Sequence, residues 1–313
     1  MTQRSLGFDI GGTKIAVARV DGEWSTRPAD LERAATPIEQ VATPQDPHEL
    51  VAVIAESVAR HCDGETVSIG VGFPGSIGPD NTVTHAPNLP QTLGLDIKSM
   101  LQHAVRASAA VEDVVVGNDA NCAAVAMQAV FGADDLITVT LGTGIGGGLI
   151  VGGQLVQGNA GAAGEIGHII VDAHGRACAC GQRGCWEQYA SGTAFTELLA
   201  QHVGGTPGPN EFRDFVEGCE AQQPWAIQIA NTFAEWLAVG LASLINVLDP
   251  PLIALSGSVT RSWSAIGPVV HTKLHEIDQR GRFAHTELGL SPLGSATGAI
   301  GAALLCSRDE RRR

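Results

Sequence analysis

Phe8-Asp9-Ile10-Gly11-Gly12-Thr13-Lys14-Ile15-Ala16-Val17 reads as a strand, a glycine turn and a second strand, and the plan returns in Thr140-Leu141-Gly142-Thr143-Gly144-Ile145-Gly146-Gly147-Gly148-Leu149-Ile150. In both, apolar residues flank glycines that let backbone N–H groups approach an anion which a side chain would block. Two such hairpins, one near the start of each half, predict two related lobes facing one nucleotide across a cleft. Around them, Val, Ile and Leu runs at 67–71, 114–117, 136–141 and 252–255 alternate with stretches of helical apolar spacing, among them 49–60 and 224–248. That alternation predicts an α/β fold. A boundary near Gly117 is expected, with a small α/β lobe at 1–117 and a large α/β lobe at 118–297. A final helix at about 298–313 is expected to pack back on the first lobe.

Composition narrows the function classes. With 313 residues, 44% of them hydrophobic, the chain can bury a core large enough for two lobes. The formal charge of -14 leaves no basic stripe, and the one cationic cluster, Arg311-Arg312-Arg313, reads as a solvated tail, so nucleic-acid binding is not expected. Met1 to Ser5 lack the zones of a signal peptide, and no run approaches the roughly 18 uninterrupted apolar residues of a membrane span, so a cytoplasmic protein without membrane partners is expected. Three of the seven cysteines crowd into Cys178, Cys180 and Cys185, which in a reducing compartment reads as metal ligation and not as disulfides.

Four motifs carry chemistry. Asp9-Ile10-Gly11-Gly12-Thr13-Lys14 offers backbone donors and the Thr13 hydroxyl to phosphate oxygens, and Asp9 can hold hydrated Mg²⁺; an ordinary hairpin turn is the alternative. Leu141-Gly142-Thr143-Gly144 can cradle further phosphate oxygens. A dinucleotide-binding reading of these glycines is weaker, because residues 149–156 continue as strand with a Gly152-Gly153 turn where that site needs a helix. No Gly-x-x-x-x-Gly-Lys-Ser/Thr occurs. Gly117-Asn118-Asp119-Ala120-Asn121 places a carboxylate at a strand end, where it can take a proton from a hydroxyl while Asn118 holds a neighbouring one; a helix N-cap is the competing reading. Finally, His168 with Cys178, Cys180 and Cys185 reads as a closed tetrahedral zinc set, structural because all four positions come from protein; buried free thiols are the alternative. Glu165 and Glu187 flank that loop and are placed to bind polyol hydroxyls.

Together these residues resemble the ROK family of repressors, open reading frames and kinases, from Gly7 to about Ala303, with the most specific block at 158–192. The resemblance implies a two-lobed, actin-like (ribonuclease-H-like) ATPase fold with nucleotide and sugar in the interlobe cleft. It implies ATP and Mg²⁺ contacts from Asp9, Gly11, Gly12, Thr13, Lys14, Gly142, Thr143 and Gly144, and adenosine-side contacts from Gly257 and Ser258 within Ser256-Gly257-Ser258-Val259. It assigns the base to Asp119 and the acceptor sugar to Gly75 (in Pro74-Gly75-Ser76), Asn88 (in Ala86-Pro87-Asn88-Leu89), Asn118, Asp119, Glu165, His168 and Glu187. Zinc falls to His168, Cys178, Cys180 and Cys185, with His168 binding the metal through one ring nitrogen and facing the sugar with the other. A homodimer or homotetramer is also implied.

Gly184-Cys185-Trp186-Glu187-Gln188-Tyr189-Ala190-Ser191-Gly192 is similar to the actinobacterial-type glucokinases of the family, so an ATP-dependent glucokinase acting on the 6-hydroxyl is expected. Pro90-Gln91-Thr92 stands where those enzymes often carry Trp, and other segments resemble the fructokinase, mannokinase and N-acetylhexosamine kinase branches. The family's sugar-responsive repressors carry an added helix-turn-helix, for which six residues before Gly7 leave no room. A catalytically silent sugar-binding protein would have no need of both phosphate loops and Asp119. Polyphosphate stays open beside ATP as the donor.

Overall fold

The computed structural model describes residues 4–22, 31, 34–78, 80–106, 111–208 and 210–310. The basic tail Arg311-Arg312-Arg313 lies outside the described residues. In chain order the elements are β1 (Arg4–Ile10), β2 (Lys14–Asp21), β3 (Ala35–Ala42), α1 (Pro47–His61), β4 (Val67–Phe73), β5 (Ser76–Ile77), β6 (Val83–His85), α2 (Ile97–Val105), β7 (Val111–Asn118), α3 (Asp119–Phe131), β8 (Leu136–Leu141), β9 (Ile145–Val151) and β10 (Gln154–Leu155). They continue with α4 (Glu187–Ala190), α5 (Gly192–Val203), α6 (Glu211–Glu220), α7 (Pro224–Leu248), β11 (Leu252–Ser256), α8 (Trp263–Ile277), β12 (Glu287–Leu290) and α9 (Thr297–Glu310). The α/β alternation expected from the sequence is present, and β8 and α7 coincide with their apolar runs.

Two five-stranded sheets carry the fold, in the orders β3-β2-β1-β4-β7 and β10-β9-β8-β11-β12. In the first, β2 runs antiparallel to β1, whereas β4 and β7 run parallel to it. β4 is buried along its whole length, as a central strand covered on both faces must be. On one face Leu50, Ile54 and Val58 of α1 pack with Leu6, Phe8, Ile69 and Val71. On the other, Ala299, Ile300, Ala303 and Leu304 of α9 pack with Ala18, Val20 and Val125. α9 lies so close to the sheet that a Cβ on Gly7 or Gly70 would strike the backbone oxygen of Ala299 or Ala302.

Local chemistry explains the helix ends. Asp46 caps α1 by accepting from the N–H groups of His48 and Glu49, Pro47 opens it, and Arg60 and His61 sit in its last turn, where cations favour the helix dipole. Ser191 caps α5 through Ala194 N, and Gly204 ends it at φ 69°, a left-handed conformation that costs glycine little. α7 is long and apolar enough to cross a membrane by length and composition alone, but half of its apolar window is buried inside the protein. It is a core helix, with Phe233 packed at a tilt on Phe195, which meets Phe215 edge-on.

By contact density the chain divides into two compact units: Met1–Thr138 with Gly148–Gly164 and Ser291–Arg313, and Val139–Gly147 with Glu165–Leu290.

Candidate active site

In the first unit, strand register gathers the acidic residues. Asp9 pairs with Gly72, and Gly72 with Gly117, so β1, β4 and β7 end together on one edge of the sheet. In open α/β sheets the carboxyl ends of the strands are where ligands bind. Asp119 follows directly on Asn118, the last residue of β7. Both acids flank Gly72: the position of a Cβ there is 3.6 Å from Asp9 Oδ1 and 3.4 Å from the Asp119 Cα. Asp9 as a residue is half-buried, but its carboxylate is enclosed, packed so tightly on Gly298 that a Cβ there would collide with it. Burial first, and the negative charge of Asp119 second, push the Asp9 carboxyl up from 3.8 to about 7. A hard divalent cation beside these oxygens would offset that repulsion, so the residues fit Mg²⁺.

The surrounding residues complete this group. Gly11 N donates to Lys14 O at 2.9 Å, and Thr43 braces the turn by donating its hydroxyl to Gly11 O and its N–H to Thr13 O. Gly12, Thr13 and Lys14 are left exposed. Asn118 caps α3, its Oδ1 accepting from Asn121 N at 3.1 Å, while its Nδ2 donates to Gly75 O at 3.1 Å. The capping reading of this asparagine therefore holds, and the amide keeps one further donor and one further lone pair for another partner. Asp119 is half-buried, with Oδ1 accepting from Ala120 N. Beyond the β5–β6 ribbon, the exposed side chain of Asn88 lies beside Gly12, 3.6 Å from where a Cβ there would stand.

The second unit holds the metal-ligand set. One ligand atom from each of His168, Cys178, Cys180 and Cys185 falls within 4.8 Å of all the others. Cys180 Sγ is 3.6 Å from Cys185 Sγ, and Cys178 Sγ is 3.8 Å from His168 Nδ1. A tetrahedral zinc ion with Zn–S near 2.3 Å places its ligand atoms about 3.8 Å apart, so the four side chains fit zinc. Burial first, then the neighbouring thiols, push Cys185 up to about 12, so a bound cation is what would let the three sulfurs be thiolates together. A tight turn presents them: Gly181 N donates to Cys178 O and Cys178 N to Gln182 O, with backbone bridges at Ala177 to Arg183 and Ile170 to Cys185.

Glu187 stands against this cluster. Trp186, fully buried with Nε1 donating to Trp236 O, anchors the start of α4. From there Glu187 Oε1 accepts from Cys178 Sγ at 3.1 Å and lies 3.7 Å from His168 Nδ1. Glu165 sits at the head of the turn that carries His168, its backbone oxygen accepting from His168 N. Gly142-Thr143-Gly144 is braced by the residues after α4: Gly192 N donates to Gly142 O at 2.7 Å, and Thr193 Oγ1 to Thr143 O at 2.7 Å.

Next to this loop opens a cavity of about 770 Å³, lined by Gly142, Thr143, Ser258, Thr196, Gln201 and Phe212 among others. Ser258 and the loop were expected at a nucleotide site. The contributions of α5, the loop after it and Phe212 were not anticipated, because an exposed helix face leaves no motif; the one available signal was Ser191-Gly192-Thr193, a helix start abutting the expected block.

A family model described as the ROK family matches residues 5–309. The chain is 35% identical over 275 residues to a glucokinase of Streptomyces coelicolor, covering 82% of each protein. It is 32% identical over 290 residues to an N-acetyl-D-glucosamine kinase of Pectobacterium atrosepticum, covering 86% of this chain and 88% of that one. Among solved structures, it is similar to a ROK family glucokinase from Streptomyces griseus in complex with glucose and AMPPNP, with a TM-score of 0.80, 32% identity and coverage of 97% and 99%.

Proposed function

The chain belongs to the ROK family, and on that premise we propose that it transfers the γ-phosphate of ATP to the 6-hydroxyl of a hexose, with glucose as the preferred acceptor and the cytoplasm as its compartment. It is a sugar phosphotransferase with the two-lobed, actin-like ATPase fold of ROK kinases. The observation that carries the assignment is the strand register that brings Asp9 and Asp119 to one sheet edge. Phosphoryl transfer asks the protein for two different carboxylates, one to hold a cation and one to take a proton, and little other chemistry.

Asp119 accepts the proton of the attacking hydroxyl as its oxygen bonds to the γ-phosphorus in line, and the bond from that phosphorus to the β–γ bridging oxygen breaks to release ADP. Asn118, already held by its cap and by Gly75, keeps the acceptor's neighbouring hydroxyl in place, and Asn88 and Gly75 contact the ring. Glu165, His168 and Glu187 hold further hydroxyls. Asp9 would hold Mg²⁺ near the donor, and the ion would supply neutralisation of charge on the phosphoryl oxygens. Gly12, Thr13 and Lys14, together with Thr143, donate to those oxygens, while Gly11 and Gly142 close the two turns with their own N–H groups and leave room for the phosphates. Ser258 lines the cavity and Gly257 precedes it at the turn after β11; the cavity's size suits a nucleoside and favours ATP over polyphosphate. His168, Cys178, Cys180 and Cys185 would hold zinc, which would keep the strap bearing Glu187 in shape.

The sugar is the finer part of the proposal. Glucose is favoured by the 35% identity to the Streptomyces glucokinase; N-acetylglucosamine is the second reading, favoured by the Pectobacterium kinase at 32%. Assembly as a homodimer or homotetramer is proposed on the family resemblance. The test is ADP release with Mg²⁺-ATP on glucose, mannose, fructose, N-acetylglucosamine and N-acetylmannosamine, with Asp119→Asn as control. Removing the base should lower kcat about 10²- to 10⁴-fold with both KM values held. Near-normal turnover by Asp119→Asn refutes the base assignment, and a different best sugar replaces glucose while leaving the transfer chemistry in place.

A further inference from the structure

We propose that the second glycine loop divides its work between the two substrates: Gly142 and Thr143 serve the phosphate donor, whereas Gly144 is a positioning residue for the acceptor, acting through the carboxylate of Glu187. This rests on the reading of Glu187 as a sugar ligand given above.

Gly144 is not a glycine for the sake of its backbone, because it is not among the residues of positive φ. What it lacks is room. A Cβ built on it would stand 2.7 Å from Glu187 Oε2, and among the described residues the Glu187 carboxylate is all that such a Cβ meets within 4 Å. Gly142 is the contrast: a Cβ there meets nothing within 4 Å among the described residues, and Gly142 and Thr143 line the 770 Å³ cavity while Gly144 does not. The donor side of the loop is thus open, and the other end is filled by a side chain from α4.

Glu187 is pinned from both directions. Cys178 Sγ and Gln188 Nε2 approach Oε1 at 3.1 and 3.5 Å, and Gly144 backs Oε2. A methyl group at 144 reaches ordinary contact only if Oε2 retreats by about 0.7 Å, given that carbon and oxygen settle near 3.4 Å. The obstacle is the end of a flexible side chain and not backbone, so the fold absorbs the methyl and the carboxylate moves. Binding groups tolerate only about 0.5 Å of misplacement, and 1 Å can cost about 10²-fold.

The experiment compares Gly144→Ala with Gly142→Ala in steady-state kinetics, varying glucose and ATP separately, with zinc content and circular dichroism recorded for each. The expectation is that Gly144→Ala raises the sugar KM about tenfold or more with the ATP KM changed less than about twofold, and that Gly142→Ala does the reverse. In a Glu187→Ala background, adding Gly144→Ala should cost nothing further on the sugar side, since the group it displaces is gone. A rise in the ATP KM alone for Gly144→Ala, or full additivity with Glu187→Ala, overturns the division of the loop while leaving Glu187 a sugar ligand. If Glu187→Ala itself leaves the sugar KM unchanged, the ligand assignment fails first and this inference with it. If Gly144→Ala loses zinc or folds poorly, the double variant must recover both, because its clash has been removed; failure to recover also overturns the proposal.

Discussion

Replacing Asp9 by Asn should stabilise the magnesium-free protein above neutral pH while abolishing its activity. Burial against Gly72 and Gly298, with the charge of Asp119 nearby, pushes the folded carboxyl up from 3.8 to about 7. Between those two values the unfolded chain has released a proton that the folded chain keeps. Because the folded state then binds more protons, stability falls as pH rises through this window and levels off above about 7. From pH 5 to pH 8 roughly two units of the window are crossed, at about 1.4 kcal/mol each, so wild type should lose about 2–3 kcal/mol relative to the variant. Urea unfolding followed by circular dichroism, on zinc-loaded protein in magnesium-free buffer at both pH values, reads this directly. Added Mg²⁺ should recover stability at pH 8 for wild type only, and its apparent affinity should fall as pH drops below 7, because proton and metal compete for one carboxylate. Parallel stability curves for the two proteins from pH 5 to 8 would refute the reasoning, since they would mean that Asp9 carries no cost of ionisation in the fold.

Other outcomes follow from the packing. Zinc removal by a chelator should lower activity in proportion to metal content, and Cys180→Ser should lower that content; full activity in a metal-free preparation contradicts the structural role of the cluster. Gly70→Ala should destabilise by about 1–3 kcal/mol or more in urea midpoint, because its methyl overlaps the Ala302 backbone oxygen beneath α9. Phe212→Ala should raise the ATP KM about tenfold and spare the sugar KM, as expected of an aromatic wall of the donor cavity; steady-state kinetics with each substrate varied would show otherwise if the cavity serves no nucleotide.

Local chemistry was legible in the chain because it needs residues close together in sequence. Asp9 with Gly11 and Gly12, Asn118 beside Asp119, and three cysteines within 178–185 each stand at a spacing that a turn or a strand end brings together. Element type was legible for the same reason: β8 and α7 are long apolar runs with clear punctuation, and the two glycine hairpins appear where the strand, turn, strand pattern placed them. Asn118 shows the limit of such reading. Capping and catalysis ask for the same residue at the same place, and only the bonds to Asn121 and Gly75 show that the cap is made while hydrogen-bonding capacity remains.

What the sequence determined by itself was therefore the class of fold, the two glycine hairpins and the cluster of His168 with Cys178, Cys180 and Cys185, each fixed by short-range pattern. Tertiary structure decided the rest. The alignment of Asp9, Gly72 and Gly117 is a matter of register between strands far apart in the chain, and register is set by side-chain packing and not by any one segment. The cavity wall comes from a face of α5, the loop after it and Phe212 of α6, none of which has a signature of its own. The need for glycine at 144 came from a carboxylate 43 positions later, whose place depends on the buried Trp186 and on the metal strap. A close approach between distant segments leaves no local periodicity or composition behind, so it can be read only once the chain has folded.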